Sequence, residues 1–256
     1  MSDDVLKKHS FDYAARDKYY WDRLEQLKEE EGMSLQDMLM NWPSYVRRRE
    51  LPRFLAHYEM FKHVIDLPGC IVECGVFKGA SFFTWTKLME TFCPGDRYRK
   101  VYGFDHFEGL TDFNDKDGAH VGEYFDKQVG GWKASAHHAR VMTHLVNDDT
   151  MMPGIGRCEL VEGNILETIP KFLESHPGLR ISLLYLDMDI YEPTLAALKA
   201  FYPLVLKGGV VALDEYGLQP WEGESLAAEE YFASIGEAPT WKKFPTAILP
   251  SGYFIK

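Results

Sequence analysis

Ile181–Tyr216 reads ISLLYLDMDIYEPTLAALKAFYPLVLKGGVVALDEY, and this stretch decides the fold. Ile181 to Leu186 reads as a buried strand, hydrophobic but for Ser182, ending in the acids Asp187 and Asp189. A helix begins at Pro193, a Gly208-Gly209 turn follows, and a second strand, Val210 to Leu213, ends in Asp214-Glu215. Strands joined by one helical crossover run parallel, because the connection carries the chain back to its starting end. All four carboxylates therefore emerge at one edge of one sheet, the edge where open α/β sheets hold their ligands. Four converging acids point to a hard divalent cation, since Mg²⁺ takes oxygen ligands and prefers carboxylates.

The same alternation of strand and helix extends upstream. CIVECG, from Cys70 to Gly75, is a short apolar strand that contains Glu73 and breaks at Gly75; a helix then enters through Gly79-Ala80-Ser81. Strand, glycine turn and helix N-terminus make a cradle for a nucleotide cofactor, because glycines let the ligand approach the backbone and free amides face it. The spacing is G-x-x-x-G, not the G-x-G-x-x-G of dinucleotide sites, which disfavours NAD. A strand at Val101 to Phe104 ends in Asp105, placed either to accept both ribose hydroxyls or to cap the turn to Gly109. Another strand, Cys158 to Val161, leads to Glu162-Gly163-Asn164, a corner that either faces an adenine or is an ordinary turn.

The remaining segments frame this sheet. Residues 11–31 carry Phe11, Tyr13, Tyr19, Tyr20, Trp21 and Leu24 among charges. This amphipathic segment caps the site, packs on a neighbouring subunit or lies on its own core, and a homo-oligomer is expected. Leu51 to Ile65 has helical apolar spacing and follows the run Arg47, Arg48, Arg49, a solvated face or an anion site. Thr111 to Gly156 is a polar insertion with His120, His137, His138 and His144, read as a lid that is helical from Ala134 to Val146. No zinc-like spacing links these histidines. After a helix at Ser225 to Phe232, strands near Trp241 to Phe244 and Tyr253 to Ile255 form a closing antiparallel hairpin.

Composition bounds the reading. A chain of 256 residues with 46% hydrophobic and 26% charged residues fits one α/β domain, with 1–66 as a helical N-terminal segment and 111–156 as the insertion. A net charge of −11 disfavours nucleic acid and anionic membranes as partners. The cysteines Cys70, Cys74, Cys93 and Cys158 have no metal-like pairing and read as reduced thiols. With no signal peptide and no apolar run of about 18 residues, the expected setting is cytoplasmic.

Laid end to end, IVECGVFKGAS, VYGFDHFEGL, VEGNILETIP, LLYLDMDIYEPT and GGVVALDEY resemble the macrocin O-methyltransferase family over roughly Leu51 to Glu230. The resemblance implies a Rossmann-like class I methyltransferase fold with a seven-stranded, mostly parallel sheet. It implies S-adenosylmethionine and Mg²⁺ as cofactors and a sugar or sugar-nucleotide hydroxyl as acceptor, in antibiotic biosynthesis. Glu73, Gly75, Gly79 and Ser81 would lie along the methionine part of the cofactor, with Asp105 on the ribose and Gly163 and Asn164 near the adenine. Asp187, which also borders the cofactor, Asp214 and Glu215 would hold the metal, and Asp189 would be the general base. Family members often carry two aspartates after the fifth strand, whereas Glu215 is the second acid here. A catechol-like phenol as acceptor, and a non-catalytic assembly protein that keeps the cofactor site, are the competing readings.

Overall fold

The computed structural model describes residues 13–111, 113–118, 127–152 and 154–256; Phe11 and His120 lie outside them. The chain forms two compact units, Met1–Leu51 and Pro52–Lys256.

In the first unit, α1 (Tyr13–Glu30), α2 (Leu35–Met40) and α3 (Trp42–Tyr45) follow one another through short turns. Ser34 and Asp37 close a capping box at the start of α2, satisfying amides that the first turn leaves without partners. Arg47 and Arg49 both pair with Asp17, so two of the three consecutive arginines are engaged within the unit. None of residues 16–51 is buried.

The second unit opens with α4 (Leu51–Val64) and continues β1 (Cys70–Cys74), α5 (Ala80–Phe92), β2 (Val101–Asp105), α6 (Ala136–Asp148), β3 (Cys158–Glu162), α7 (Ile165–Ser175), β4 (Ile181–Leu186), α8 (Tyr191–Phe201), β5 (Val205–Leu213), α9 (Glu222–Ser234) and β6 (Gly252–Ile255). The sheet order is β3-β2-β1-β4-β5-β6. The first five strands are parallel, and β6 is antiparallel to β5. β4 is buried at every position, which explains why it is apolar on both faces except at Ser182, whose hydroxyl donates to the Gly69 carbonyl at 2.9 Å. One face packs α7, α8 and α9 through Ile169, Phe172, Leu198 and Phe232. The other packs α4, α5 and α6 through Met60, Phe82, Trp85 and Ala139.

Two expectations change. The described sheet has six strands, not seven, because the stretch at Trp241 to Phe244 pairs only at Lys242, through two backbone bonds with Tyr253 of 2.7 and 2.9 Å. Pro239 and Pro245 bracket that stretch and have no N–H to extend a ladder, so the closing hairpin is reduced to a single bridge. Gly208-Gly209 is no turn but a bulge inside β5: the register jumps from Ile181↔Val205 to Leu183↔Val210, with Gly208 at φ 86°. The insertion's helix packs on β3, where the Asn147 side chain bonds the backbone of Arg157 and Cys158. That helix forms a flanking layer of the sheet. No helix among the described residues is long and apolar enough to cross a membrane. The cysteines are free thiols, and burial pushes those of Cys74 and Cys158 up, the latter to about 11.

Candidate active site

The C-terminal ends of β1, β2, β4 and β5 surround a cavity of about 320 Å³ within the second unit. Gly75 ends β1 at φ 94°, and a Cβ there would lie 1.7 Å from the Asp187 carbonyl oxygen. Glycine is therefore required for the β1 and β4 loops to pass each other. Ser81 reaches the cavity from the first turn of α5. Its hydroxyl donates to Glu73 Oε1 at 2.8 Å, while Trp85 Nε1 donates to Oε2 at 2.7 Å. Glu73 is wholly buried behind this wall rather than on the cavity, and burial pushes its carboxyl up to about 8 despite the two donors. Gly79 caps α5 at φ 85° and also lies off the cavity.

Asp105 lines the cavity and accepts the Phe77 and Phe107 N–H groups at 2.7 and 2.6 Å. It thus caps the local turns, and each oxygen keeps a lone pair for a second donor. Gly163 and Asn164 are also on the wall, where Asn164 Oδ1 caps α7 through the Leu166 N–H at 2.9 Å. The described insertion histidines, His137, His138 and His144, are exposed and do not line this cavity; His106, not singled out from the sequence, does.

The acids converge as the strand ends require. Backbone bonds carry the ladder one residue further, from Asp187 N to Cys74 O at 2.8 Å and from Asp214 N to Leu186 O at 2.9 Å. Carboxylate oxygens of Asp187, Asp214 and Glu215 lie within 4.8 Å of one another. Arg53 Nη2 donates to Asp187 Oδ2 at 2.8 Å and to Asp214 Oδ2 at 3.0 Å, and the Tyr185 hydroxyl donates to the other oxygen of Asp214. Glu215 Oε2 is buried and has no hydrogen-bond partner. Burial, then the neighbouring negative charges, hold the Asp187 and Glu215 carboxyls well above the usual carboxylate range. Three clustered oxygen donors with one unserved buried oxygen fit a hard cation, which would relieve both the repulsion and the orphaned acceptor. Asp189 stands beside them, 8% exposed and at φ 63°, a backbone conformation that aspartate tolerates better than most residues.

The sequence reading missed Arg53, His57, Tyr185 and Glu224. Glu224 is fully buried on α9 and accepts the Glu215 and Met188 N–H groups at 2.8 and 3.4 Å, tying together the two loops that carry the acids. A signal existed. Arg53 and His57 share the α4 stripe with Met60, Phe61 and Val64, and Glu224 shares that of Ala227, Ala228 and Tyr231 on α9. A polar residue at an apolar-stripe position is buried and therefore partnered.

Residues 40–234 match the family model described as Macrocin-O-methyltransferase (TylF). The chain belongs to this family. The match spans Arg53, the glycine turn and the whole acid cluster. Among macrocin O-methyltransferase relatives, the 8-demethyl-8-(2,3-dimethoxy-alpha-L-rhamnosyl)-tetracenomycin-C 4'-O-methyltransferase of Streptomyces olivaceus is 26% identical over 155 residues, 59% of this chain and 54% of its own. Demethyldecarbamoylnovobiocin O-methyltransferase of Streptomyces niveus is 27% identical over 158 residues, 60% of this chain and 55% of its own. The aligned chain spans about half the length of these curated relatives. Among solved structures, the calicheamicin methyltransferase CalS11 superposes with a TM-score of 0.84 at 27% identity, covering 94% of this chain and 92% of its own. The O-methyltransferase NovP, at 23% identity and a TM-score of 0.64 over 80% of this chain and 79% of its own, shares the fold.

Proposed function

We propose that the protein is an S-adenosylmethionine- and Mg²⁺-dependent O-methyltransferase acting on a hydroxyl of a nucleotide-activated deoxysugar. The observation that carries this reading is the Asp187–Asp214–Glu215 cluster, with its buried unserved oxygen, beside the glycine-turn cavity. S-adenosylmethionine supplies a methyl group on a sulfonium leaving group, and Mg²⁺ supplies positive charge that lowers the pKa of an acceptor hydroxyl. Asp187, Asp214 and Glu215 hold the metal. Asp105 and Ser81 offer oxygens to the cofactor, and Asn164 and Gly163 border it. Glu73 fixes the Ser81 hydroxyl from behind. Asp189 would accept the proton of the acceptor hydroxyl, which a sugar alcohol does not release unaided at neutral pH. Trp132 and Trp221 line the cavity wall.

One observation favours a second reading of the acceptor's far end. Six carboxylates among the described lining residues face only Arg53 and His106, and a diphosphate needs cations to bind. A sugar already attached to an apolar scaffold suits that wall better. The test is incubation with labelled S-adenosylmethionine, Mg²⁺ and a panel of nucleotide sugars, glycosides and catechols, with products weighed. A methylated sugar is expected, lost with EDTA and reduced at least a hundredfold in Asp189→Asn. Methylation of catechols alone would overturn the sugar reading, and turnover indifferent to EDTA would overturn the metal.

A further inference from the structure

We infer that Arg53 is a built-in counter-ion of the acid cluster, displaced from Asp187 and Asp214 when a divalent cation binds there. This rests on the metal reading of Asp187, Asp214 and Glu215. A single nitrogen, Nη2, bridges Asp187 Oδ2 and Asp214 Oδ2 at 2.8 and 3.0 Å. It neutralises two of the three carboxylates that would ligate the cation. Guanidinium and metal are both positive and both seek these acids, so in a site with little water each weakens the other's hold.

Arg53 is also held in the manner of a group that can leave. Its Nε is buried without a hydrogen-bond partner, and its side chain is 32% exposed along the cavity wall. Arg157 shows what a permanent buried arginine looks like in this protein. At 1% side-chain exposure, it bonds Glu90 through Nε and the carbonyls of Asp96, Arg99 and Cys93 through both terminal nitrogens. Apart from a 3.4 Å contact of Nη2 with the Tyr185 hydroxyl, the grip of Arg53 is charge on charge, through the nitrogen that faces the acids. Glu215 Oε2 takes no bond from it, so Arg53 leaves unfinished the neutralisation that a cation would complete. Release relieves the orphaned Nε and turns the guanidinium toward the cavity mouth. The consequence is a site that stays folded without metal at the cost of affinity for it.

The test titrates Mn²⁺ alone into the full-length protein by calorimetry, comparing the native chain with Arg53→Gln and Arg53→Lys, and repeats the melts in EDTA and in Mn²⁺. Arg53→Gln should bind Mn²⁺ at least tenfold more tightly than the native chain. In EDTA it should melt lower, and Mn²⁺ should raise its melting temperature by more. Arg53→Lys, which keeps the charge on a shorter side chain, should fall between the two and serves if the glutamine variant does not fold. Affinity equal to or weaker than native in both variants would overturn the inference and make Arg53 an orienting group instead. The parent reading fails separately: if native protein and variants all ignore Mn²⁺ while S-adenosylhomocysteine still raises their melting temperatures, both the metal site and the competition are lost. Glu215→Gln should abolish Mn²⁺ binding in the native background, and retained binding would relocate the site and overturn the competition.

Discussion

At the scale of single residues, Glu73 shows how a cavity-facing position is built from behind. Its carboxylate is enclosed, takes one hydroxyl donor and one indole donor, and fixes Ser81, which does reach the cavity. The ordinary glutamate value of 4.5 is raised to about 8, chiefly by burial. Between these two values the folded chain keeps a proton that the unfolded chain has released, so stability falls as pH rises through the window. The slope approaches about 1.4 kcal/mol per pH unit where only the folded state is protonated. Glu73→Gln keeps the shape and can still serve Ser81 and Trp85 without ionising. Denaturant melts at pH 6 and pH 8 should therefore show a smaller loss of stability in Glu73→Gln than in the native protein. An unchanged difference would mean that Glu73 does not titrate in that range.

At the scale of elements, the insertion is anchored by a cap supplied in trans. Helix α8 starts after Ile190, which has no side-chain acceptor, and Asp117 of the insertion fills that role by accepting the Tyr191 N–H at 2.7 Å. Gly223 admits it, since a Cβ there would lie 2.2 Å from Asp117 Oδ1. Lys116 adds bonds to Tyr191 at 2.6 Å and Glu230 at 2.5 Å, and buried Lys127 holds Glu222 at 3.0 Å. Asp117→Ala removes a buried cap and should cost about 2 kcal/mol in urea unfolding while speeding protease cleavage of the insertion; Asp117→Asn should recover most of both. This arrangement also shows what the sequence made legible. Acids ending apolar strands, and glycines after β1, are local patterns, so the sheet edge and its four converging acids, Asp187, Asp189, Asp214 and Glu215, could be read directly. Asp117 beneath α8, Glu224 behind Glu215 and Arg53 across 161 residues from Asp214 depend on tertiary packing that no local window contains. The missing strand at Lys242 failed for a local reason, the flanking prolines, which outweighed the β-like run between them.

At the scale of the whole molecule, the two units carry different burdens. Every described buried apolar residue belongs to the second unit, from Ala56 to Phe254, as do the complete sheet and the cavity. The first unit instead exposes Tyr19, Trp21, Leu35, Leu39, Met40 and Trp42, each more than 45% accessible. Three helices with no buried residue from 16 onward gain little from their own packing, since helices in proteins draw most of their stability from covering an apolar face. Exposed aromatic and aliphatic side chains in that number are the composition of a contact between copies. Deleting residues 1–51 should therefore leave a protein that still folds cooperatively and melts within a few degrees of the full chain. The full chain should scatter light as a homo-oligomer, and the same deletion should reduce the measured mass to that of a monomer. A truncated protein of undiminished assembly state would place the contact on the second unit, and one that fails to fold would mean that the first unit contributes core contacts after all.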